Sequence, residues 1–429
     1  MKKVLIITYY WPPSGGGGVQ RWLKFTKYLP QYGWNPIVVV PENAEYPSKD
    51  ESLLKDIPND VQIIKVPIWE PYQLFKLLTG KKKEEKVNAG FLFDGKKKSF
   101  FEKMSLWLRG NLLIPDPRVF WVKTVFKSLS PKIYEMQPDC IVTTGPPHSL
   151  HLAGLKLHKK TGVKWVADFR DPWSTIDYLD YFYLSEYARK KQRRLERKVL
   201  ENANLVLSVS ENWKKELHEL GAKNVEVVTN GYDHEDFETF RKRPTGKFVM
   251  TYAGLITSLR NPVSLWNTLE NLCEENAEFA EKFELRLIGS IDQQVMLDLK
   301  NRPFLGKRIV YLGYISHDKV IKQYEEASVL LLLLNQSDNA KGHIPGKFFE
   351  YMAAQTPILA LGAKGGDVDE IMAAMRCGLF ADFYDIGIIT KWLSEQLQKP
   401  NMKQDEYSVD EFSRRMLTEK LSKIINSLT

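Results

Sequence analysis

Gly15-Gly16-Gly17-Gly18-Val19-Gln20-Arg21 follows a short apolar run, Val4–Thr8, and leads into Val19–Leu29, a stretch of helical character. Strand, glycine turn and helix in that order open a Rossmann-like α/β unit. Glycines allow positive φ and a close approach of backbone to ligand. The helix behind them presents free N–H groups and the positive end of its dipole, a setting suited to phosphate. A dinucleotide fingerprint fits only in part. Gly16 and Gly18 match its first glycines, but Arg21 takes the place of the third, and Tyr9–Ser14 separates strand from turn. Glu42 imitates the ribose-binding acid of that fingerprint, so a nicotinamide reading stays open alongside a plain flexible turn.

The alternation continues outward. Further strands are expected at Pro36–Val40, Val61–Val66, Cys140–Thr144, Val163–Asp168, Leu205–Ser210 and Val225–Thr229, with helices near Leu150–Lys160 and Tyr187–Asn202. A second series follows at Phe248–Ala253, Leu285–Ile288, Ile309–Tyr311, Val329–Leu334, Pro357–Leu361 and Gly378–Phe380. Strands alternating with helices predict parallel sheets covered on both faces. A chain of 429 residues exceeds one core, so two domains are expected. The short polar break at Arg241–Lys247 divides them into residues 1–240 and 241–405, leaving 406–429 as a helix packing back toward the first domain.

Three scattered cysteines (Cys140, Cys273 and Cys377) form no CxxC pair, which argues against a disulfide framework or zinc site and for a reducing cytoplasm. No run approaches the roughly 20 apolar residues of a spanning helix, and the apolar stretch after Met1 is too short for a signal peptide. The net charge of +8 is uneven: residues 76–132 hold 14 Lys/Arg against 5 Asp/Glu. Within this insertion, Lys81–Lys83 and Lys96–Lys98 surround Phe91, Phe93 and Phe100, and Phe101, Met104, Leu108 and Leu112 fall at helical spacing with Trp107 beside them. Such a stripe fits either packing on the domain or an interfacial helix on an anionic membrane. Nucleic acid would explain the charge but none of the other motifs.

The second informative stretch is His343-Ile344-Pro345-Gly346-Lys347-Phe348-Phe349-Glu350-Tyr351-Met352-Ala353-Ala354. Pro345 and Gly346 shape a loop and a helix follows. A carboxylate at Glu350 can accept two hydrogen bonds from a ribose diol, and Lys347 can meet a diphosphate. Glu350 reads equally as a solvated residue on an amphipathic helix.

With Thr143–Ser149 (TTGPPHS), Ala167–Trp173 (ADFRDPW), Asn230–Asp233 (NGYD) and Tyr252–Gly254 (YAG), these motifs occur in an order that resembles glycosyltransferase family 4, the retaining "group 1" enzymes of bacterial polysaccharide assembly. The resemblance implies a GT-B fold, two Rossmann-like domains with parallel sheets facing an interdomain cleft. It also implies a nucleotide-diphosphate sugar as substrate, a glycan or lipid-linked acceptor, no metal and no other cofactor. Glu350 matches the second of the family's two glutamates, the ribose ligand, while Gly342 stands where the first belongs. Arg260 matches the second of a basic pair facing the diphosphate, and Leu255 replaces the first. The donor set is then Gly16, Gly17, Gly18, Arg260, Gly346, Lys347 and Glu350.

TTGPPHS and ADFRDPW fall at strand ends, which in open α/β sheets face the ligand crevice. His148, Asp168, Arg170 and Asp171 are therefore the candidate catalytic and acceptor-side residues: His148 to donate to a phosphate or sugar oxygen, Asp171 or Asp168 to orient the acceptor hydroxyl. An internal ion pair is the competing role of Arg170 and Asp171. The expected location is the cytoplasm, with peripheral attachment to the inner face of the plasma membrane as the insertion's role. A nucleotide-sugar epimerase of the same fold and a non-catalytic nucleotide-sugar-binding subunit are the alternatives, since fold does not choose among functions.

Overall fold

The computed structural model describes residues 1–46, 48–70, 100–243, 245–257, 260–336, 338–398 and 407–429. Lys81–Lys83, Lys96–Lys98, Phe91 and Phe93 lie outside these. The described chain divides into two units, one holding residues 1–70, 100–230 and 414–429, the other residues 231–413.

The first unit is a seven-stranded sheet of β1 (Lys2–Ile7), β2 (Trp34–Pro41), β3 (Gln62–Val66), β4 (Cys140–Gly145), β5 (Lys164–Phe169), β6 (Leu205–Ser208) and β7 (Val225–Val227). Its order is β3-β2-β1-β4-β5-β6-β7 and every pairing is parallel. Alternate residues of β1 serve two cores, as the period of 2 requires. Leu5 and Ile7 pack with Trp121, Val125 and Leu129 of the Val119–Met136 helix. Val4 and Ile6 pack with Trp22 and Phe25 of the Gly17–Tyr28 helix and with Leu417, Leu421 and Ile425 of the Arg414–Asn426 helix.

The second unit is a six-stranded parallel sheet of β8 (Phe248–Ala253), β9 (Phe283–Ile288), β10 (Ile309–Gly313), β11 (Val329–Leu333), β12 (Ile358–Leu361) and β13 (Gly378–Ala381), in the order β10-β9-β8-β11-β12-β13. Met250 and Tyr252 join one core with Leu265, Trp266 and Leu269. Ala253, Leu330 and Leu332 join the other with Phe348, Phe349 and Met352.

Two expectations need adjusting. The units part at Asn230 and Gly231, ahead of the polar Arg241–Lys247 stretch. The reason is packing: Phe237 and Phe240 lie against the core of the second unit, and the Tyr232 N–H donates to the Phe412 carbonyl at 3.1 Å. The basic segment 76–132 is also not one appendage. Its last part belongs to the Val119–Met136 helix, whose Trp121, Val122, Val125, Leu129 and Ile133 are buried beneath the sheet.

The Phe100–Leu112 helix does have two faces. Leu106 and Gly110 are buried, and a Cβ on Gly110 would lie 2.6 Å from Phe182. Phe100, Phe101, Met104, Trp107 and Leu112 are 74, 63, 38, 43 and 65 % exposed. Of the expected stripe, Phe101, Met104 and Leu112 face away from the core, while Leu108 is half-buried. No described helix is long and apolar enough to cross a membrane.

Candidate functional site

Each sheet has one point where strand order reverses, between β1 and β4 in the first and between β8 and β11 in the second. Connections leave such a point in opposite directions, which opens a crevice at the carboxyl ends of the two strands. The glycine turn follows β1 and TTGPPHS ends β4. YAG ends β8, and the loop after β11 leads to the Gly346–Ala353 helix.

In the first unit, Gly16 caps the Gly17–Tyr28 helix at φ +90°, a conformation that favours glycine. Neither Gly16 nor Gly17 has an atom within 4 Å of where a Cβ would stand. Arg170 Nη1 donates to the Gly18 carbonyl at 2.6 Å, Nη2 to the Pro146 carbonyl at 2.6 Å and Nε to the Gly145 carbonyl at 3.2 Å. Arg170 thus ties the glycine turn to the TTGPPHS loop, with one N–H of each guanidinium nitrogen engaged in doing so.

Asp168 does not line a ligand surface. It is 0 % exposed and accepts from Arg21 Nη2 at 2.9 Å, Trp22 Nε1 at 2.7 Å and the Thr144 hydroxyl at 2.9 Å. Arg21 also donates to the Thr229 carbonyl at 2.8 Å. This is a closed buried network, so the expected acceptor-orienting role is unavailable to Asp168. Asp171 is partly exposed and borders a small cavity with Thr175, Glu196 and Trp213. There, burial pushes the Glu196 carboxyl up to about 7, against hydrogen bonds from Ser174.

His148 is brought to a larger cavity of about 140 Å³, lined also by Tyr10, Arg109, Arg118, Trp173 and Phe182. Its ring stacks on Trp173 with centroids 5.2 Å apart and 8° between planes. Neither ring nitrogen has a hydrogen-bond partner; the Pro172 carbonyl is near enough to favour protonation a little without hydrogen-bond geometry. Burial, then His151 and Arg170, hold the imidazole well below its usual range, so it is neutral at pH 7. A neutral imidazole offers one donor and one acceptor. The cavity wall formed by Arg109 and Gly110 belongs to the helix whose other face carries the exposed aromatic residues. Asp116, also at the wall, accepts from the Ser149 N–H and hydroxyl at 2.8 and 2.9 Å and so anchors the Ser149–Thr161 helix.

In the second unit, the Gly346–Ala353 helix starts after Pro345 with no side-chain cap, and nothing lies within 4 Å of a Cβ placed on Gly346. No side chain caps its first N–H groups, and the Phe348 N–H turns back to the Pro345 carbonyl at 2.9 Å. Lys347 Nζ donates to the Ala253 carbonyl at 2.9 Å and sits 3.9 Å from the centroid of Tyr252. Burial, then Arg260, press its ammonium well below the usual range. His343 is lowered to about 3 by burial and by the nearby Arg260 and Lys347. Arg260 donates to the Asn335 side chain. One turn along the helix, Glu350 is held by His317 Nε2 at 2.9 Å and faces the Tyr324 hydroxyl at 3.5 Å. The β9 loop is drawn close to β8: Gly289 has φ +109°, and a Cβ there would fall 2.2 Å from the Gly254 carbonyl.

The structure thus gathers Arg260, Gly346, Lys347 and Glu350 in one place, and His148, Arg170 and Gly18 in another. Sequence reasoning missed His317, Asn335, Arg118 and the role of Arg21. None lies in a recognisable motif for the part it plays. No cluster of His, Cys, Asp or Glu able to hold a metal occurs among the described residues.

Residues 94–236 match Glycosyltransferase Family 4. No curated protein sequence matches the chain closely. Among solved structures, the chain is similar to the apo form of the lipopolysaccharide outer core galactosyltransferase WaaB (TM-score 0.58, 14 % identity, 100 % of both chains covered). It is similar to a glycosyltransferase from Rickettsia africae (TM-score 0.58, 14 % identity, 99 % of this chain and 98 % of that one). It is also similar to a putative UDP-N-acetylglucosamine 2-epimerase from Listeria monocytogenes (TM-score 0.58, 12 % identity, 100 % and 96 %). At such identities the likeness gives the fold, which is GT-B, and the enzyme class rests on the family match.

Proposed function

From the premise that the chain carries a glycosyltransferase family 4 domain, we propose that it moves a sugar from a nucleoside-diphosphate donor to a glycan or lipid-linked acceptor, with retention, in making a cell-surface polysaccharide. The observation that carries the donor side is the gathering of Arg260 and Lys347 at the uncapped start of the Gly346–Ala353 helix, with Glu350 one turn on. Two basic groups beside an uncapped helix N-terminus are an arrangement that suits an anion. A diphosphate supplies that charge, and Glu350 meets the ribose diol attached to it. When the sugar leaves, the growing charge on the diphosphate is stabilised by groups already in place. No protein base is needed in this scheme, because the departing phosphate takes the acceptor proton.

On the first unit, the cavity beside His148 suits one sugar ring of the acceptor. Its roughly 140 Å³ is close to the ~150 Å³ of a cavity that accepts a six-membered benzene ring. Trp173 and Phe182 offer apolar walls, and the neutral His148 offers a donor and an acceptor to hydroxyls. Asp171, at its neighbouring loop, remains the candidate to orient the acceptor, and Gly16 and Gly17 leave room for a ligand at the first helix.

Glu350→Gln tests the donor site. A charge-assisted hydrogen bond contributes about 1.5–3 kcal/mol, so affinity for the free nucleoside diphosphate should fall roughly ten- to hundred-fold with the fold intact. Calorimetry measures it, and an unchanged affinity removes Glu350 from the site. Donor turnover that requires a separate acceptor separates transfer from epimerisation.

The exposed aromatic face of the Phe100–Leu112 helix, next in sequence to Lys96–Lys98, is proposed to rest on the anionic cytoplasmic face of the membrane. Each basic residue near such a surface contributes on the order of 1 kcal/mol. Wild type should co-sediment with anionic vesicles at low salt and release toward 1 M, where the Debye length is about 3 Å. Changing Lys81–Lys83 and Lys96–Lys98 to Gln should erase the anionic preference and spare transfer to a short soluble acceptor. Wild type that ignores anionic vesicles at low salt sinks this reading.

A further inference from the structure

His317 begins the His317–Glu325 helix and lies between two carboxylates carried by different elements. Its Nε2 is 2.9 Å from Glu350 Oε1, on the Gly346–Ala353 helix. Its Nδ1 is 4.0 Å from Asp236 Oδ2, on the turn His234–Phe237. All three side chains are about four-fifths buried, with 21, 17 and 19 % of their surface exposed. Both carboxylates lie on nitrogens, one on each edge of the ring, so the ring cannot turn over without losing a partner. The Tyr324 hydroxyl, on the same helix as His317, reaches Glu350 Oε2 at 3.5 Å. Further along the same helix, Arg286 of β9 donates to Gln323 at 2.9 Å, Lys242 donates to the Tyr324 carbonyl at 3.3 Å and Arg243 pairs with Glu325 at 2.9 Å, while β8 brings no carboxylate or cation in Phe248–Ala253.

A glutamate side chain has three rotatable bonds, and its two oxygens can be presented to a ligand in many ways. A hydrogen bond from a fixed partner selects one. We propose that His317 is the positioning residue for Glu350: it engages Oε1, sets the plane of the carboxylate, and so leaves Oε2 and the free lone pair of Oε1 for the ribose diol of the donor. The inference rests on the reading of Glu350 as the ribose ligand. Asp236 acts one step further out, by holding the imidazole edge-on. In this arrangement the nucleoside diphosphate meets an ordered carboxylate, and loss of His317 costs binding rather than chemistry.

The experiment is a double-mutant cycle on the full chain, read by calorimetry with UDP, GDP, ADP, CDP and dTDP, and by steady-state kinetics with the sugar donor of whichever binds. His317→Ala should weaken nucleotide binding about tenfold and raise the donor KM in proportion, with kcat changed less than about twofold. His317→Gln, whose side-chain amide can donate to Glu350, should restore most of the loss. In a Glu350→Gln background, His317→Ala should add little, because the group it positions no longer acts as before. The inference is overturned if His317→Ala binds as tightly as wild type, or more tightly, or if its loss is the same in both backgrounds. A melting temperature lowered by His317→Ala with nucleotide affinity unchanged also overturns it, since the residue is then only a staple. If wild type binds none of the five nucleotides, the donor reading fails first and takes this inference with it.

Discussion

Lys347→Ala is expected to lower turnover by about 10²–10³ while leaving the protein folded. Losses of that size follow when one preorganised group facing charge that develops in the transition state is removed. Lys347 is unusual because its surroundings work against its charge: burial and Arg260 both press it toward the neutral amine, with Glu350 opposing them. An arriving diphosphate reverses that balance, and the further charge released as the glycosidic bond breaks strengthens it. The interaction is thus larger in the transition state than in the ground state, which is what raises kcat. Lys347→Arg should rescue poorly, because the space between the Tyr252 ring and the Ala253 carbonyl is occupied by a compact ammonium. Arg260→Ala should show a smaller loss, and the double mutant should fall short of the product of the two, since the cations share one anion.

The same lysine gives a check that needs no substrate. A base whose folded pKa is depressed binds fewer protons in the native state than in the unfolded state, so stability rises with pH between the folded and unfolded pKa values. In Lys347→Ala that rising contribution should be absent from a series of melting curves at increasing pH. Full turnover in the Arg260→Ala, Lys347→Ala double mutant would place the cations elsewhere.

How much of this is open to reading from sequence depends on whether the interaction is local. The sequence places β8 at Phe248–Ala253 and it stands there, because a run buried on both faces carries its own boundaries. The helix at Val119–Met136 is not legible in the same way. Its core positions, Trp121, Val122, Val125, Leu129 and Ile133, share the sequence with three lysines and Pro131, which blur the period. Gly346, Lys347 and Glu350 can be found because one helix holds them all. His317 cannot, since it meets Glu350 only through the fold, 33 residues away. Arg21 stands out in the sequence only as the residue that spoils a fingerprint. Its partner is 147 residues distant, and no local pattern connects a helix arginine with an aspartate at the end of β5. The same distance explains the misreading of Asp168: position at a strand's carboxyl end is legible, but whether the carboxylate is already engaged is not.

Asp168→Ala is expected to cost about 3–5 kcal/mol of stability, the range for breaking a buried ion pair by removing one partner. The Arg21 side chain is 1 % exposed, and its guanidinium would lose all three contacts to the carboxylate while still enclosed. The Trp22 Nε1–H and the Thr144 hydroxyl would lose their acceptor in the same step. Because the network ties β5 to β4 and to the helix after the glycine turn, the penalty falls on the whole first unit. Asp168→Asn, which keeps the shape and one acceptor oxygen, should cost less. Removing both charges with Arg21→Met in the Asp168→Ala background should recover part of the loss, since no unpaired guanidinium remains. Denaturant unfolding followed by tryptophan fluorescence reports the change, with the two units fitted as separate transitions. If Asp168 instead oriented an acceptor, Asp168→Asn would leave the midpoint in place and abolish transfer. That outcome, or a loss below about 1 kcal/mol for Asp168→Ala, would show that the buried network is not what the carboxylate is for.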